Sequence, residues 1–544
     1  MFWLSVHSIS GAVFGHHLTG AGIAEPTVRR YGENAPIMVI ENTSLIRDFE
    51  TAQEKKERWK SIYVLYFSTF LMGLGFSTVL TGVWPYLDKL DPTAGKEFMG
   101  IIVAGHPLGQ MLFAPLIGWW SNRSKSVLLP LQLCIAIFTI SNVWYSLLQL
   151  NSGHRKYWML FTRFLTGISS SNMAVCRSYI AAATTLSERT KSVSMIAFFQ
   201  VLGFIIGPGI QAGLSPLGDG DKYLLSIIPL NMYTAAGWIN VFLGILNFFL
   251  FLPCIFKQRK IAAKEAMIMQ NADSEKATWA GRKPDYISAG TLIVSFFLLN
   301  FHFVLLETLA APLTMDQFGW SKQDALFYIG ILMVSGALVA CVAFFAISPL
   351  TKIFKESLIL VWGGFAFMAV GSIFLIPWGP DTPPMAKVSN DNILLSNMTA
   401  SELLNKTDYL GCPPTQEWCS YTPALTLTQF IISYALTSMG YPTGLALIQS
   451  LISKVLGPRP QGTWMGIMVG IGCLARVLGP VFISVIYTRY GTIWTFSLTT
   501  VFQFLIVFWL LSCNNRINRA IQMHIKKNVD NDRELKNLNS GQHG

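Results

Sequence analysis

SVSMIAFFQVLGFIIGPGIQAGL, from Ser192 to Leu214, is an apolar stretch long enough to cross a membrane. The hydrocarbon core of a bilayer is ~30 Å thick, which a helix spans with ~20 residues at a rise of ~1.5 Å each. Gly203 and Gly207 precede Pro208 at the centre of the stretch. Small residues four apart let two helices approach closely, and a proline bends the helix. The stretch therefore predicts a kinked membrane helix with a close neighbour.

A second stretch repeats this arrangement in the other half of the chain. GTWMGIMVGIGCLARVLGPVFISVI, residues 462–486, places Ala475 four residues before Gly479, and Pro480 follows. A short basic loop precedes each copy, LSERTK and LGPRPQ. Internal repeats of this kind are typical of membrane transporters. The alternative interpretation is packing alone, since small residues are common in all membrane helices.

Composition excludes most other classes of protein. Of the 544 residues, 52% are hydrophobic and 13% are charged, whereas soluble domains carry about 25% charged residues. The net charge of +11 is expected mainly on the cytosolic face of the membrane. The sequence has no basic–aromatic stripe that would suggest nucleic acid as a partner, and no nucleophile-elbow, zincin or phosphate-binding motif. We expect a protein embedded in the lipid bilayer, without enzyme activity, cofactor or metal.

Twelve apolar stretches predict an all-α membrane protein. Twelve transmembrane helices would form two pseudo-symmetric six-helix bundles, residues 61–256 and 288–513, joined by a cytosolic linker at 257–287. The predicted spans are 61–86, 97–119, 126–149, 157–182, 192–214, 233–256, 288–313, 325–348, 358–378, 424–452, 462–486 and 492–513. Residues 1–60 predict a disordered cytosolic tail, and residues 514–544 predict a second cytosolic tail.

The distribution of charge places both termini in the cytosol. Lys and Arg are dense in the segments that lie on the side of the termini and sparse in the opposite loops, which is the positive-inside pattern. The longest opposite loop, 379–423, carries glycosylation sequons at Asn397 and Asn405. It also holds Cys412 and Cys419, which an oxidising lumen would allow to pair. Sequons and cysteines together favour a luminal position for this loop.

Motifs in three places resemble the major facilitator superfamily. The loop after the second span, Gly118-Trp-Trp-Ser-Asn122-Arg123, is similar to the Gly-x-x-x-Asp-Arg motif of that family, with Asn for Asp. Arg163-Phe-Leu-Thr-Gly in the fourth span is similar to its Arg-x-x-Gln-Gly motif, and the glycines and proline of the fifth span resemble its antiporter motif. The resemblance implies the major facilitator fold, with an inner gate at 118–125 that is weaker in charge.

Longer stretches narrow the resemblance. VWPYLDKLDPTAGKEFMG, RSYIAAATTLSERTKS, CPPTQEWCSYTP and SKVLGPRPQGTWMG are similar to the lysosomal branch of the superfamily that is associated with ceroid lipofuscinosis. That resemblance implies a multi-pass protein of lysosomal and endosomal membranes with chloride-channel activity, which affects luminal pH and ion balance. The similar stretches lie in both halves and in the luminal loop, whereas residues 1–40 fall outside them.

The N-terminal tail carries a short motif that fits this location. Glu41-Asn-Thr-Ser-Leu45-Ile46 resembles the acidic dileucine signal that clathrin adaptors read. An acid suits a basic surface of the adaptor, and two adjacent aliphatic side chains suit an apolar pocket. A clathrin adaptor is therefore an expected partner, although such short motifs also arise by chance in polar tails.

Ionisable residues at membrane depth are candidates for the transport pathway, because each costs at least ~2.5 kcal/mol to insert. Arg476 lies near mid-bilayer in the eleventh span, Arg163 lies in the fourth, and Arg177 lies nearer its cytosolic end; Glu307 of the seventh span is the deep acid. The excess of cations favours an anionic permeant, since guanidinium groups replace part of an anion's hydration shell. Structural salt bridges, and for Arg177 a gate or a snorkelling anchor, are the alternatives.

Two polar residues of the second span share one helical face. His106 and Gln110 are four residues apart, beside Pro107. His106 would sense luminal acid, because imidazole titrates near pH 6.5. The alternative is a hydrogen-bonded packing residue.

Three functions fit this sequence. The first is an endolysosomal anion pathway, most simply for chloride, in which Arg476 and Arg163 supply positive potential. The second is a proton-coupled, alternating-access transporter of an organic solute, which Glu307 and the glycine–proline motifs favour. The third is a membrane sensor or scaffold that transports nothing, which the altered loop at Asn122 permits. Fold alone does not choose between them.

Overall fold

The computed structural model of the chain describes residues 50–91, 94–151, 153–218, 220, 222–224, 228–270, 274–280, 283–385, 411–413 and 416–523. The predicted sorting residues Glu41, Leu45 and Ile46 lie outside the described residues, as do the predicted glycosylation sites Asn397 and Asn405.

Six spanning helices make up the first half of the chain. They are α1 (Ala52–Leu90), α2 (Gly95–Ser124), α3 (Leu128–Ser146), α4 (Arg155–Ser170, continued by Asn172–Ala183), α5 (Leu186–Leu214) and α6 (Met232–Leu250). Between α5 and α6, a short antiparallel hairpin pairs β1 (Lys222–Leu224) with β2 (Ile228–Leu230).

The second half follows after two short linker helices, Ala262–Gln270 and Ala277–Ala280. Its helices are α7 (Tyr286–Phe318), α8 (Lys322–Ile353), α9 (Glu356–Ile359, a π-helical Leu360–Ala366 and Phe367–Leu375) and α10 (Leu427–Leu456). The continuous segment Gly462–Met523 holds two helices, because Gly491 has φ 79° and ψ −170°. We label them α11 (462–490) and α12 (492–523).

The structure confirms an all-α membrane fold. Among the described residues, ten helices are long and apolar enough to cross a membrane, and Gly462–Met523 counts as one of them although it contains both α11 and α12. The remaining span, α4, is less apolar and is interrupted at Ser171. With α4 counted, and with Gly462–Met523 divided at Gly491, the described residues contain twelve helical segments at the positions of the twelve predicted spans.

The ends of the helical region differ from the predicted tails. A capping box formed by Thr51 and Glu54 starts α1, so the prediction of disorder up to residue 60 is wrong for residues 52–60. Arg58, which is 1% exposed, pairs with Glu50 at 2.6 Å and with Glu188 of α5 at 2.9 Å. A buried guanidinium needs such partners, and they hold the first turns of α1 against the protein. At the other end, α12 continues to Met523, beyond the predicted boundary at 513.

The repeated glycine motifs join equivalent pairs of helices. In the first half, Gly203 of α5 faces the backbone of α1, and Ser77 of α1 donates a hydrogen bond to the Gly203 carbonyl at 3.1 Å. In the second half, Gly479 of α11 faces Val304 of α7, whose Cγ1 would lie 3.2 Å from an added Cβ. Pro208 lies inside α5, as its counterpart does inside α11. Both copies therefore make the close helix contact that the sequence suggests.

Gly207→Ala is expected to lower the melting temperature of the detergent-solubilised protein by several degrees. A Cβ at this position would overlap the hydroxyl of Ser77 and lie 2.7 Å from the backbone nitrogen of Thr78, and such overpacking costs about 1–3 kcal/mol. Gly209→Ala, two residues along the same helix, is the matched control, because nothing lies within 4 Å of its Cβ. Equal melting temperatures for the two variants would contradict this packing role.

Several helix ends meet on one face of the protein. Arg516 of α12 pairs at 2.7 Å with Asp285, which caps α7, and this contact lowers the pKa of Asp285 to about 2. Arg259, after α6, pairs with Glu54 and Glu57 at the start of α1. The first helix therefore begins, and the last helix ends, on the same face. That this face is cytosolic stays a prediction, as do the domain boundaries.

Candidate functional site

The two halves contact each other along a seam on this same face. Its first part joins the end of α2 to the start of α11, where Gly118 and Gly462 each lie against the other's carbonyl oxygen. Asn122 Oδ1 accepts a hydrogen bond from Gly462 N at 2.8 Å, and Asn122 Nδ2 donates to Thr463 Oγ1 at 3.0 Å. An amide caps a helix N-terminus about as well as a carboxylate. Asn122 therefore binds the second half without the charge that the family motif supplies.

Arg123, the other predicted gate residue, lies outside this contact. Its side chain is exposed, and its guanidinium carbon lies 5.9 Å from the centre of the Trp119 ring. In the described ranges, Arg123 makes no ion pair. The loop motif thus contributes its glycine and its asparagine to the seam, but not its arginine.

The second part of the seam joins α5 to α9 and α10. Thr190 of α5 accepts a hydrogen bond from Lys454 Nζ at 2.8 Å and lies 2.8 Å from Ser450 Oγ. Lys454 in turn pairs with Glu356 at 2.6 Å. Farther along, Phe198 of α5 packs against Phe345 of α8, with ring centroids 4.9 Å apart. Sequence reasoning missed this polar cluster, because its members lie far apart in the chain.

A linker side chain supports the start of α5 at this seam. Glu265, on the helix Ala262–Gln270, accepts a hydrogen bond from Leu186 N at 2.9 Å. Burial raises the pKa of the Glu265 carboxyl, while the bond from Leu186 and the charge of Arg189 act in the opposite direction. The linker is thus attached to the same helix end that carries the inter-half contacts.

Farther from the seam, α2 and α11 each pack within their own half of the protein. At the inner end of the seam, the Cys473 thiol of α11 donates a hydrogen bond to Gln110 Oε1 of α2 at 3.1 Å. Farther from the seam, Gly105 of α2 packs on Leu160 of α4, and Gly479 of α11 packs on α7, so each helix turns to its own half. We use the name central cavity for the region beyond this contact that holds His106, Gln110, Arg163, Arg177, Arg476, Tyr441 and Glu307.

His106 and Gln110 lie together at the base of the central cavity. His106 Nε2 is 2.9 Å from Ser170 Oγ, and Gln110 Nε2 donates to the Ser170 carbonyl at 2.9 Å. The prediction that they share a face is correct, and both bind the same residue of α4. Ser170 was not predicted, since a serine in a helix carries no distinctive pattern.

Arg163 lies beside this pair, on α4. It is 3% exposed, its guanidinium carbon lies 5.6 Å from the centre of the Phe76 ring, and Phe76 packs on the His106 ring at 4.3 Å. The Arg163 Nε is buried and has no hydrogen-bond partner in the described part of the chain. A buried guanidinium without an acid is costly, so this group is available to an anion.

Arg476 and Arg177 complete the positive cluster. The electrostatic neighbours of Arg476 include Tyr441 of α10, Cys473 and Glu307. Arg177 donates to Gln200 at 3.3 Å and is 7% exposed. It also interacts electrostatically with Arg476, so the structure places it toward the second half and not as a surface anchor.

Glu307 faces the central cavity from α7. Its side chain is exposed, yet its electrostatic neighbours lie on α10 and α11, at Tyr441 and Arg476. An acid that faced lipid would not have such neighbours. Across the residues that the structure describes, it makes no ion pair within 4 Å. Three guanidinium groups and one carboxyl group at this depth leave an excess of positive charge.

Tyr441 is the main residue that the sequence did not reveal. Its hydroxyl lies 3.4 Å from Asn300 Oδ1, and its ring stacks on Phe303 of α7 at 4.2 Å. Pro442 follows it inside α10. The signal in the sequence that could have identified Tyr441 is a tyrosine next to a proline, in a membrane span that also contains polar residues.

On the face opposite the seam, the loop cysteines form a cap on the second half. Cys412 and Cys419 are joined as a disulfide, with their Cα atoms 6.3 Å apart. Between them, Trp418 is 1% exposed and packs against Tyr487 and Gly491 at the turn from α11 to α12. Within the described ranges, no group of His, Cys, Asp or Glu is arranged to hold a metal ion.

Known proteins resemble this chain over most of its length. The family profile described as Major Facilitator Superfamily matches residues 65–395. The chain is 37% identical over 494 residues to Major facilitator superfamily domain-containing protein 8 of Xenopus laevis, covering 88% of this chain and 96% of that protein. It is 26% identical over 459 residues to Tetracycline resistance protein, class D, of Salmonella ordonez, covering 81% and 94%. The crystal structure of the human organic anion transporter MFSD10 superposes with a TM-score of 0.57 at 18% identity, covering 83% and 99%.

Proposed function

Because this chain belongs to the Major Facilitator Superfamily, we propose that its transported solute is a small inorganic anion, with chloride as the simplest case. Members of this superfamily carry solutes across membranes and are not enzymes. The proposal therefore concerns the solute, the pathway and the compartment.

The observation that carries the proposal is the uncompensated positive charge of the central cavity. Arg163 has no acid partner among the described residues, and Arg476 faces the same space. Guanidinium groups stay charged and present several donors, so they replace part of the hydration shell of an anion. A cation would meet repulsion from these groups, and a neutral solute would leave them uncompensated.

Two features of the sequence support a compartment for this protein. The resemblance to the lysosomal branch of the superfamily and the motif Glu41, Leu45 and Ile46 support endolysosomal membranes as its location, with a clathrin adaptor as the sorting partner. The sequons Asn397 and Asn405 fit a luminal loop that is glycosylated.

A second function is favoured by the exposure of Glu307. An exposed carboxyl at membrane depth that makes no ion pair with a described residue suits a proton carrier, as in a proton-coupled transporter of an organic solute. On this alternative, Glu307→Gln abolishes uptake that is driven by a pH gradient. On the anion proposal, the same variant leaves chloride flux intact or increases it, because a negative charge is removed from the pathway. Measuring both fluxes in one proteoliposome preparation separates the two functions.

Chloride flux in proteoliposomes tests the main proposal directly. We expect purified full-length protein to carry a chloride current under a clamped membrane potential, and the current to reverse near the chloride equilibrium potential. Folded protein that gives no anion flux at neutral or acidic pH would contradict the proposal and favour the coupled transporter. Absence of any flux under every gradient would favour a membrane sensor or scaffold that transports nothing.

A further inference from the structure

The hydrogen bonds around Ser170 determine which nitrogen of His106 carries its proton. The Ser170 hydroxyl donates to the Thr166 carbonyl at 3.0 Å, so its oxygen acts as acceptor toward His106 Nε2 at 2.9 Å. A neutral imidazole has one N–H and one acceptor nitrogen. The N–H is therefore at Nε2, and Nδ1 is the acceptor. Nδ1 has no partner in the part of the chain that the structure describes.

Among the residues that the structure describes, the charged groups that face His106 are two arginines. Arg163 faces it from α4 and Arg476 from α11. Phe76, which packs on the imidazole from α1, is uncharged. A proton added at Nδ1 would therefore create a third positive charge beside two guanidinium groups. An anion held among the three removes this repulsion.

His106 lies on the side of the seam where the deep arginines lie. It is one helical turn from Gln110, which accepts a hydrogen bond from Cys473 of α11 at the inner end of the seam. The imidazole is thus on the same side of the seam as the anion that it would accompany.

We propose that His106 couples the binding of one proton to the binding of one anion in the central cavity. This inference rests on the proposed anion function and names its regulation. The proton adds to Nδ1 of the neutral imidazole, while the Nε2–H remains bonded to Ser170. The anion then interacts with the imidazolium, Arg163 and Arg476. When the anion leaves, the proton leaves Nδ1 as well. Because linkage is reciprocal, acid strengthens anion binding, and the anion strengthens proton binding.

The experiment compares wild-type protein with His106→Gln and His302→Gln. Glutamine at 106 retains an N–H donor near the position of Nε2, so the bond to Ser170 is preserved while titration is lost. His302 of α7 is the matched control, since it is 2% exposed and neither ring nitrogen has a partner in the described structure. It also has no arginine among its electrostatic neighbours.

Two measurements are made on each protein at about pH 5 and about pH 7.5, on either side of the ordinary titration of imidazole. They are the stabilisation against heat by chloride and the chloride flux. We expect wild type and His302→Gln to bind chloride about tenfold more tightly at the lower pH, within the usual range of coupling between sites. We expect His106→Gln to bind chloride equally at both. Persistence of the full pH effect in His106→Gln overturns the inference.

A third measurement needs no variant. Adding chloride to weakly buffered wild-type protein near pH 6 is expected to cause proton uptake, up to about half a proton per molecule for a tenfold coupling, as reciprocal linkage requires. Chloride binding and flux without proton uptake and without pH dependence overturn this inference alone. Failure of chloride to bind or permeate at any pH overturns the proposed anion function as well.

Discussion

Arg476→Ala is expected to reduce chloride flux about tenfold or more while the protein still folds and reaches its membrane. A unit charge about 5 Å from a permeating anion contributes about 3 kcal/mol at an effective dielectric constant of about 20. Losing half of this interaction energy lowers an equilibrium constant for anion binding by a factor of about ten. Arg476 faces the central cavity together with Tyr441 and Glu307, so the side chain acts where an anion would pass.

Two further variants make the result specific. Arg476→Lys keeps the charge but loses the planar fork of donors, so we expect an intermediate flux and an altered preference among halides. Arg519→Ala removes an exposed arginine at the end of α12 and should leave flux unchanged. If Arg476→Ala and Arg519→Ala conduct alike, Arg476 is a structural residue and the anion pathway lies elsewhere.

Gly118→Ala is expected to open the seam. Gly118 and Gly462 lie against each other's carbonyl oxygens, so an added methyl group meets backbone that has no side chain to move aside. Close approach of two helices through small residues tolerates no such group. We therefore expect the variant to populate a state in which the cavity is reached from the side of the seam.

Cys473 reports this opening without an engineered label. Its thiol is 5% exposed and bonded to Gln110 at the inner end of the seam. A membrane-impermeant maleimide applied from the seam side should modify Cys473 at least about tenfold faster in Gly118→Ala than in wild type, in a background where the exposed Cys254 is serine. The tenfold rate corresponds to a population shift of about 1.4 kcal/mol.

The control for this measurement is Gly290→Ala. Gly290 lies in the first turns of α7, and nothing is within 4 Å of a Cβ built there. We expect its Cys473 to react at the wild-type rate. Unchanged reactivity in a folded Gly118→Ala protein would show that the seam does not control access to the cavity.

Much of the architecture could be predicted from the sequence because it depends on length and local chemistry. A bilayer requires runs of ~20 apolar residues, and these runs are visible without any structure. The capping box of Thr51 and Glu54 starts α1 nine residues before the beginning of the apolar run at residue 61, because polar first turns carry no hydrophobic signal. The repeated glycine–proline motif correctly indicated close contacts in both halves, at Gly203 and Gly479.

The composition of the site was predictable only in part. Arg163, Arg476 and Glu307 stand out because charge is rare at membrane depth. Tyr441 and Cys473 do not stand out, since neither is charged and both occur in apolar surroundings. Asn122 was interpreted as a weakened gate, whereas it caps α11 across the seam.

The sequence by itself determined the all-α membrane fold, the approximate positions of the membrane helices and the presence of positively charged residues at membrane depth, because each depends on residue type along a continuous segment. The tertiary structure alone decided that Arg177 faces the second half, that Glu307 lies near Arg476 and that His106 bonds to Ser170. The rotation of a nearly uniform apolar helix about its own axis is set by packing against its neighbours. Those neighbours are far away in the chain, so the faces that form the cavity exist only once the two halves have folded together.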